Sequence, residues 1–578
     1  MKFTRREFVS VAGLGAVFAG YRSFATPSAG PLFKIGFLTD THVRDTAASC
    51  ELVRGAMKVF RGNGCNAVVH CGDLADYHFK EGYKHYRAAV EAAFPPDMAN
   101  RPEFLYVHAN HDIIDPEKAK DPKLFPYRYM DLDESFRSMD MLIQGAVQPH
   151  FVSRTYHGIP VLVFPQEMKL IGGYQGLEAK IAAACAEHSG KPVVVCLHVP
   201  PADTTYDSNQ WGYPVVRKIL DKFPQVVCFS GHTHNTLRNE RCIWNGGGFT
   251  NVDVGCLQYW HGMTIGTPQK SKRAYEVIVA EFYADNSIVV RRFDVRDGTE
   301  LRPESPWTVP IRRAPEVPGA FPAGAMAECV VDAVPFSSVR VRFPSVSNAD
   351  DVLYYQVEAA RRAAVGWETC ARADVYGEFY LRPQDRTGTL ESVFSAGFFD
   401  GGEYRISVTP VGFFGAMGRP LEVLWTVPEK AAARTVWSCA RPMDELKFRC
   451  GSTYDARSAA NTKEVAVKDG WVTRKTATWA VLPEGMWNIP KGSKLRFIAD
   501  IRMEQGPSSK GWTLNLRATD GTQRSPCGWI NAAPEQKGVV REVFEFTLRQ
   551  PGVPYHFTVA QGGPGRFRIE SLKLEEVK

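Results

Sequence analysis

Five short apolar runs between residues 33 and 234 each lead into aspartate, asparagine or histidine, and this repetition constrains the chain more than any other feature. FKIGFL leads to Asp40 and His42, NAVVHC to Gly72 and Asp73, and EFLYVH to Asn110, His111 and Asp112. KPVVVCL leads to His198, and PQVVCF to Gly231, His232 and His234. The runs are rich in Val, Phe, Ile and Leu and are bounded by polar residues, Gly or Pro, the pattern of strands buried on both faces. Between the first two, AASCELVRGAMKVFRGNG has helical apolar spacing and a Gly stop, and GLEAKIAAACAEHSG ahead of the fourth reads the same way. Strands alternating with helices predict an α/β layered domain.

In open α/β sheets, ligands bind beyond the carboxyl ends of the strands. One aspartate after a strand is explained by a helix N-cap, and one histidine by a single hydrogen bond. Five such ends along one edge are not. Carboxylate and amide oxygen together with imidazole, without thiolate, suit Mn, Fe, Zn or Co rather than Ca or Cu(I). Asp40, His42, Asp73, Asn110, His111, His198, His232 and His234 are too many for one tetrahedral site. They match two metals that share a carboxylate, about 3.5–4 Å apart, clamping the attacking and leaving oxygens of a displacement at phosphorus. The chemistry this predicts is hydrolysis of a phosphate ester.

D-x-H, G-D, N-H-D, H and G-H-x-H in this order resemble the calcineurin-like metallophosphoesterase superfamily, over about residues 32–295. The resemblance implies a four-layer α/β/β/α sandwich with a dimetal site at the sheet edge. By motif, Asp40, His42 and His234 hold one metal, Asn110, His198 and His232 hold the other, and Asp73 bridges them. The implied nucleophile is a metal-bound hydroxide attacking in line. His111 is implied beside the phosphate, protonating the leaving oxygen or stabilising the transition state. Asp76 stands where some members orient that histidine with a carboxylate; a solvated loop aspartate explains it as well. Arg44 reads as a phosphate contact or as a plain surface arginine.

Three departures narrow the subgroup. Ala109 replaces the usual glycine before Asn110, so the loop is expected to differ slightly. Tyr77 lies four residues after Asp73, whereas the purple acid phosphatase pattern has its tyrosine one residue earlier. Protein serine/threonine phosphatases have arginine where Tyr77 stands. What remains is a broad bacterial set of phosphodiesterases and phosphomonoesterases acting on cyclic nucleotides, nucleotides or phospholipid headgroups. Monoesterase and diesterase stay open. Trp211 and Trp260 read either as pocket walls or as packing on the sheet.

MKFTRREFVSVAGLGAVFAG joins Arg5 and Arg6 to an apolar stretch too short to span a bilayer, followed by the small residues Ser23 and Ala25. Residues 1–25 resemble a twin-arginine (Tat) export signal, which implies a periplasmic or extracellular protein. No later segment is a transmembrane candidate. A net charge of +6 on 578 residues, without a basic block, gives no sign of a nucleic-acid polymer as partner. Thirteen cysteines without C-x-x-C spacing exclude a disulfide framework, and Cys65, Cys71, Cys196 and Cys228 read as buried residues. One or two disulfides, such as Cys439 with Cys450, are compatible with the sequence.

After the phosphoesterase stretch, residues 31–300, the Pro-rich RPESPWTVPIRRAPEVPGAFPAG reads as a linker. Residues 315–430 carry alternating runs and resemble a fibronectin type III sandwich, with Tyr404 placed like its corner tyrosine. Residues 435–578 are strand-like and resemble a jelly-roll carbohydrate-binding module. They hold Trp437, Trp471, Trp479, Trp487, Trp512 and Trp529, which either stack on sugar or fill a core. The expected chain is therefore an α/β domain followed by two all-β sandwiches. It is an exported dimetal hydrolase acting on a phosphate ester, with a glycan as candidate ligand of its last domain. The alternative is a surface glycan-binding protein on a degenerate phosphoesterase scaffold, whose signature would be lost ligands.

Overall fold

The computed structural model describes residues 30–577, apart from 119–130, 261–274, 312–316, 332–337, 396–397, 400, 428–433, 452–462, 475–476, 505–511, 519–529, 533–538, 549–550, 553–554 and 561–564. The Tat-like stretch therefore lies outside the described residues.

All five apolar runs are strands: β1 (Phe33–Leu38), β2 (Ala67–His70), β3 (Glu103–Tyr106), β6 (Val193–Cys196) and β7 (Val226–Ser230). Two sheets complete the domain with β4 (Val152–Tyr156), β5 (Ile159–Val163), β8 (Ile243–Trp244), β9 (Thr250–Asp253), β10 (Glu276–Phe282), β11 (Ile288–Asp294), β12 (Thr299–Leu301) and β13 (Trp307–Val309). The first sheet runs β12-β11-β10-β1-β2-β3, with β13 also on β11; the second runs β4-β5-β6-β7-β9-β8. β1, β2 and β3 are mutually parallel, as are β5, β6, β7 and β9. Both sheets therefore send several carboxyl ends to one edge.

The inner faces pack on each other through Ile35, Phe37, Val69 and Leu105 on one side and Val161, Val194, Val227 and Phe229 on the other. Phe37 stacks on Phe229 with ring centroids 4.0 Å apart; fully burying each such ring contributes roughly 1.5–3 kcal/mol. Outside the first sheet lies the predicted helix Glu51–Gly62, which buries Val53, Ala56, Met57, Val59 and Phe60 at helical spacing. Asn63 Nδ2 donates to the Val59 carbonyl at 2.9 Å and closes its last turn. Helices Gly173–Glu187 and Pro214–Leu220 cover the second sheet through Leu177, Ile181, Val216 and Leu220. The layers are α/β/β/α, as the sequence predicts.

The Pro-rich stretch is not wholly a linker. Trp307 is buried and its Nε1 donates to Glu240 at 2.6 Å, while β13 adds to the first sheet. Apolar Trp and Val at the right register outweigh the flanking prolines. Beyond it, a three-stranded sheet (Glu328–Val331, Ser338–Pro344, Thr389–Ser395) faces a four-stranded one (Tyr354–Arg362, Trp367–Tyr376, Glu403–Val411, Leu421–Thr426). Val341 and Phe343 pack there against Tyr355, Ile406 and Val408, and Tyr404 is buried beside Phe399 and Trp425.

Two six-stranded antiparallel sheets form the last domain around Phe497, Phe544, Phe557 and Leu574. The alternating C-terminal run is the strand Gly565–Glu576. Trp479 and Trp487 are buried in this domain, and Trp437 and Trp471 are half-buried. The Trp512 side chain and Trp529 fall outside the described residues. Cys439 and Cys450 are both free. They sit on opposing sheets, paired with Leu572 and Thr478 respectively, which corrects the disulfide expectation. All other described cysteines are free as well. No helix among the described residues is long and apolar enough to cross a membrane.

Candidate metal centre

The ladders of both sheets continue past the strands and carry the polar ends into one cleft. Beyond β1 and β2, Asp40 N–H donates to the Gly72 carbonyl, His42 to Asp73 and Val43 to Leu74, at 3.0, 3.2 and 2.8 Å. Beyond β6 and β7, Gly231 N–H donates to the His198 carbonyl at 2.9 Å. Asp40, His42, Asp73, His232 and His234 all adopt left-handed backbone, with φ of 50°, 39°, 51°, 70° and 50°. Each such residue costs on the order of 1 kcal/mol or more, a strain that persists where the surroundings over-determine it and that clusters at working sites. Gly72 and Gly231 make the closeness feasible. A Cβ on Gly72, at φ +100°, would lie 2.5 Å from His198 Nδ1, and one on Gly231 would lie 2.1 Å from Thr39 Oγ1.

Three groups result, two without a shared residue and a third, His42, Asp76 and His111, that shares His42. Asp40, His42 and His234 each present one ligand atom within 4.8 Å of the others, and so do Asp73, His198 and His232. In the first, His234 Nε2 is 3.0 Å from Asp40 Oδ1 and 3.2 Å from His42 Nε2. The outer atoms are tied down. His234 Nδ1 donates to the Tyr259 carbonyl at 2.9 Å, and Asp40 Oδ2 accepts from Thr39 Oγ1 at 2.8 Å and His232 N–H at 2.9 Å. In the second, His198 Nε2 is 3.1 Å from Asp73 Oδ2 and 3.2 Å from His232 Nδ1, while His198 Nδ1 donates to the Cys71 carbonyl at 2.9 Å. A carbonyl only accepts, so His198 and His234 must carry hydrogen on Nδ1 and turn their Nε2 atoms inward.

Ring nitrogens facing each other at 3.2 Å repel unless a proton or a cation lies between them. The carboxylates favour that positive charge. Burial alone would lower His42, but hydrogen bonds to Asp40 and Asp76 and the charges of Asp73 and Asp40 push it up to about 10. Burial is likewise outweighed at His198, which Asp73 raises to about 9. Burial and the neighbouring His198 lower His232 to about 4. Asp40 and Asp73 are buried, yet their histidine neighbours hold both carboxyls well below the usual range. Asn110 Oδ1 is buried without a hydrogen-bond partner, an acceptor with nothing to accept. Inward lone pairs, ionised carboxylates and an orphaned amide oxygen fit the divalent metals that the sequence predicts. Metal binding would displace the protons held here.

The predicted catalytic pair meets in an unexpected way. His111 Nδ1 donates to the backbone carbonyl of Asp76 at 3.0 Å, with the Asp76 carboxylate farther off at 3.9 Å. That carboxylate instead faces His42 Nδ1 at 3.4 Å and takes Arg44 Nε and Nη2 at 3.1 and 2.9 Å. Burial would raise Asp76, but the contact with His42 and the charge of Arg44 hold it below the usual value. The sequence leaves Asp76 open between orienting His111 and a solvated loop position; in the structure its main-chain carbonyl takes the His111 Nδ1–H. His111 N–H donates to Asp73 Oδ1 at 3.1 Å, and its side chain is 31% exposed.

Three supports carried no assignment in the sequence. Asp112, buried beside Asp73, accepts from Ala75 N–H at 2.9 Å and joins the loops after β2 and β3; its place inside N-H-D was the available signal. Gln166 Oε1 accepts from Asn110 N–H at 3.0 Å. The Tyr259 ring lies on His234 at 4.2 Å. Ala109 has ordinary negative φ, so the missing glycine costs the loop nothing. Trp211 is 52% exposed and edge-on to His232 at 6.1 Å, whereas Trp260 is buried away from the cleft. A groove lined by Arg44, Gln258 and Arg296 opens beside His42.

Residues 33–236 match the calcineurin-like phosphoesterase family. No curated protein matches the chain. Among solved structures, similar stretches occur in the CBM22-1 xylan-binding domain from Paenibacillus barcinonensis, at 11% identity and a TM-score of 0.17, over 26% of this chain and 99% of that one. A carbohydrate-binding module of Cellvibrio mixtus lichenase 5A in complex with cellotriose matches at 10% identity and a TM-score of 0.16, over 25% and 99%.

Proposed function

We propose that this chain, which carries a calcineurin-like phosphoesterase domain at residues 33–236, hydrolyses a phosphate mono- or diester at a two-metal centre. The observation that carries the reading is the convergence of two separate ligand clusters at one end of the paired sheets. Asp40, His42 and His234 would hold one ion, Asn110, His198 and His232 the other, and Asp73 would bridge them. Divalent Mn, Fe or Zn at such donors supplies Lewis-acid charge to the phosphoryl oxygens and activates water at neutral pH.

The remaining work belongs to side chains. The carbonyls of Cys71 and Tyr259 fix the tautomers of His198 and His234, so their Nε2 atoms are preorganised as donors to metal. His111, with Nδ1–H on the Asp76 carbonyl, turns Nε2 to the cleft, where it delivers a proton to the leaving oxygen. Asp76 stays ionised and steadies the exposed Arg44 at the mouth, a position suited to a phosphate oxygen.

The substrate is proposed to be small or cell-surface: a phosphosugar, nucleotide, teichoic-type polymer or lipid headgroup. The T-R-R-x-F leader supports Tat export to the periplasm or beyond. A seven-stranded, three-plus-four middle domain supports the fibronectin type III-like reading. A glycan role for the last domain rests on its sequence resemblance, and burial of Trp479 and Trp487 removes those two as stacking platforms.

The test compares an aryl phosphate monoester with a diester, with Mn, Fe or Zn added. Metal-dependent hydrolysis of at least one is expected, and His111→Ala should keep its metals while slowing turnover roughly 10²–10⁴-fold. A protein inert on both esters with every metal defeats the proposal.

A further inference from the structure

The seam between the phosphoesterase domain and the middle sandwich is a closed aromatic cluster. Tyr206, Cys256 and Trp260 from the first domain are buried against Leu353, Tyr376, Phe379 and Phe413 from the second. Trp260 packs on Tyr380 at 4.8 Å and edge-on to Tyr376 at 5.7 Å. Ion pairs border it: Arg302 to Asp351 at 2.8 Å, and Arg382 to Asp294 and Asp297 at 3.0 and 3.2 Å. Such a seam has the character of a core rather than of a flexible tether.

What distinguishes it is where its first-domain members lead. Trp260 follows Tyr259, whose carbonyl takes the Nδ1–H of His234 and whose ring covers that imidazole. Cys256 Sγ donates to the same carbonyl at 2.8 Å. Tyr206 lies in the loop between His198 and Trp211, and its own carbonyl accepts from Asn235 Nδ2, beside His234, at 3.0 Å. Both loops that flank His232 and His234 are thus pinned from the far side by the sandwich.

We infer that the middle sandwich is a positioning part of the metal centre: by clamping Trp260 and Tyr206 it holds the Tyr259 carbonyl, and through it His234, in ligating geometry. Trp260 and Tyr380 are the positioning residues. The inference rests on the proposed metal-dependent function, and it makes the sandwich a requirement of the first domain's chemistry rather than a spacer.

The full-length protein tests it, with Mn²⁺ as probe. Apo protein is titrated calorimetrically, kcat and KM are measured on an aryl phosphate ester, and thermal unfolding reports folding. Tyr380→Ala and Trp260→Ala should weaken one of the two Mn²⁺ ions tenfold or more. They should also lower kcat by roughly 10-fold or more, displacements of about 1 Å being enough for that, with KM within about twofold. Trp260→Phe, which keeps a ring on Tyr380, should restore both. Leu424→Ala, 59% exposed elsewhere on the sandwich, should match wild type. If Trp260→Ala does not fold, the half-buried Tyr380 decides. Folded Tyr380→Ala protein with wild-type Mn²⁺ affinity and kcat overturns the inference. Wild-type protein lacking both metal and activity would instead overturn the proposed function on which it rests.

Discussion

Gly231→Ala is the sharpest probe of how the two sheets meet. An added Cβ would fall 2.1 Å from Thr39 Oγ1 and 2.6 Å from Asp40 Oδ2. Relief requires Thr39 to rotate away, which breaks its 2.8 Å hydrogen bond to Asp40. A hydrogen bond to a charged group is worth about 1.5–3 kcal/mol, and overpacking a tight site costs about 1–3 kcal/mol. The combined loss is then roughly 2.5–6 kcal/mol, and Asp40 is pushed off His234. Urea unfolding of the phosphoesterase domain should register the stability loss, and Mn²⁺ titration the displaced carboxylate. Thr39→Ala removes the nearer obstacle in advance, so Gly231→Ala should cost at least about 1 kcal/mol less in that background. An unchanged unfolding midpoint and Mn²⁺ affinity in Gly231→Ala would refute the reasoning, as would simple additivity of the two substitutions.

Three further outcomes follow from the same geometry. Gln166→Leu removes the acceptor for Asn110 N–H and should weaken metal affinity or kcat roughly 10–100-fold, as loss of a ligand's support does; equilibrium dialysis against Mn²⁺ checks it. Arg44→Ala should leave stability within about 1 kcal/mol, its ion pair being exposed, while raising KM for the ester; an unchanged KM makes Arg44 an ordinary surface residue. Glu542 in the last domain is raised by burial from 4.5 to about 7. Its folded form therefore binds the proton more tightly than its unfolded form, so stability is full below pH 4.5 and declines as pH rises toward 7. A pKa change of one is worth about 1.4 kcal/mol, so Glu542→Gln should stabilise that domain at pH 8 by about 3 kcal/mol and flatten its melting profile across the window.

Much of the α/β domain was legible because parallel strands buried on both faces leave continuous apolar runs, and their polar ends stand out against them. The residues that gather in the cleft stood out for the same reason: Asp40, His42, Asp73, His198, His232 and His234 each follow such a run. The orienting contacts did not. Cys71, Asp76 and Tyr259 act through backbone carbonyls, which every residue type possesses, so no spacing betrays them. Asp76 looked like a partner for His111 because sequence shows which carboxylate is near, not which way it turns. β13 was hidden by the prolines around it, and the fate of Trp260 depended on Tyr376 and Tyr380, more than a hundred residues later in the chain.

Metal content tests the central claim most directly. Full-length wild-type protein loaded with Mn²⁺ and desalted should retain close to two ions per chain by elemental analysis if Asp40, His42 and His234 hold one ion, Asp73, His198 and His232 the other, and Asp73 is shared as proposed. Asp73→Ala should retain at most one and lose ester hydrolysis. Two ions kept in folded Asp73→Ala, or none bound by the wild-type protein, would contradict the account.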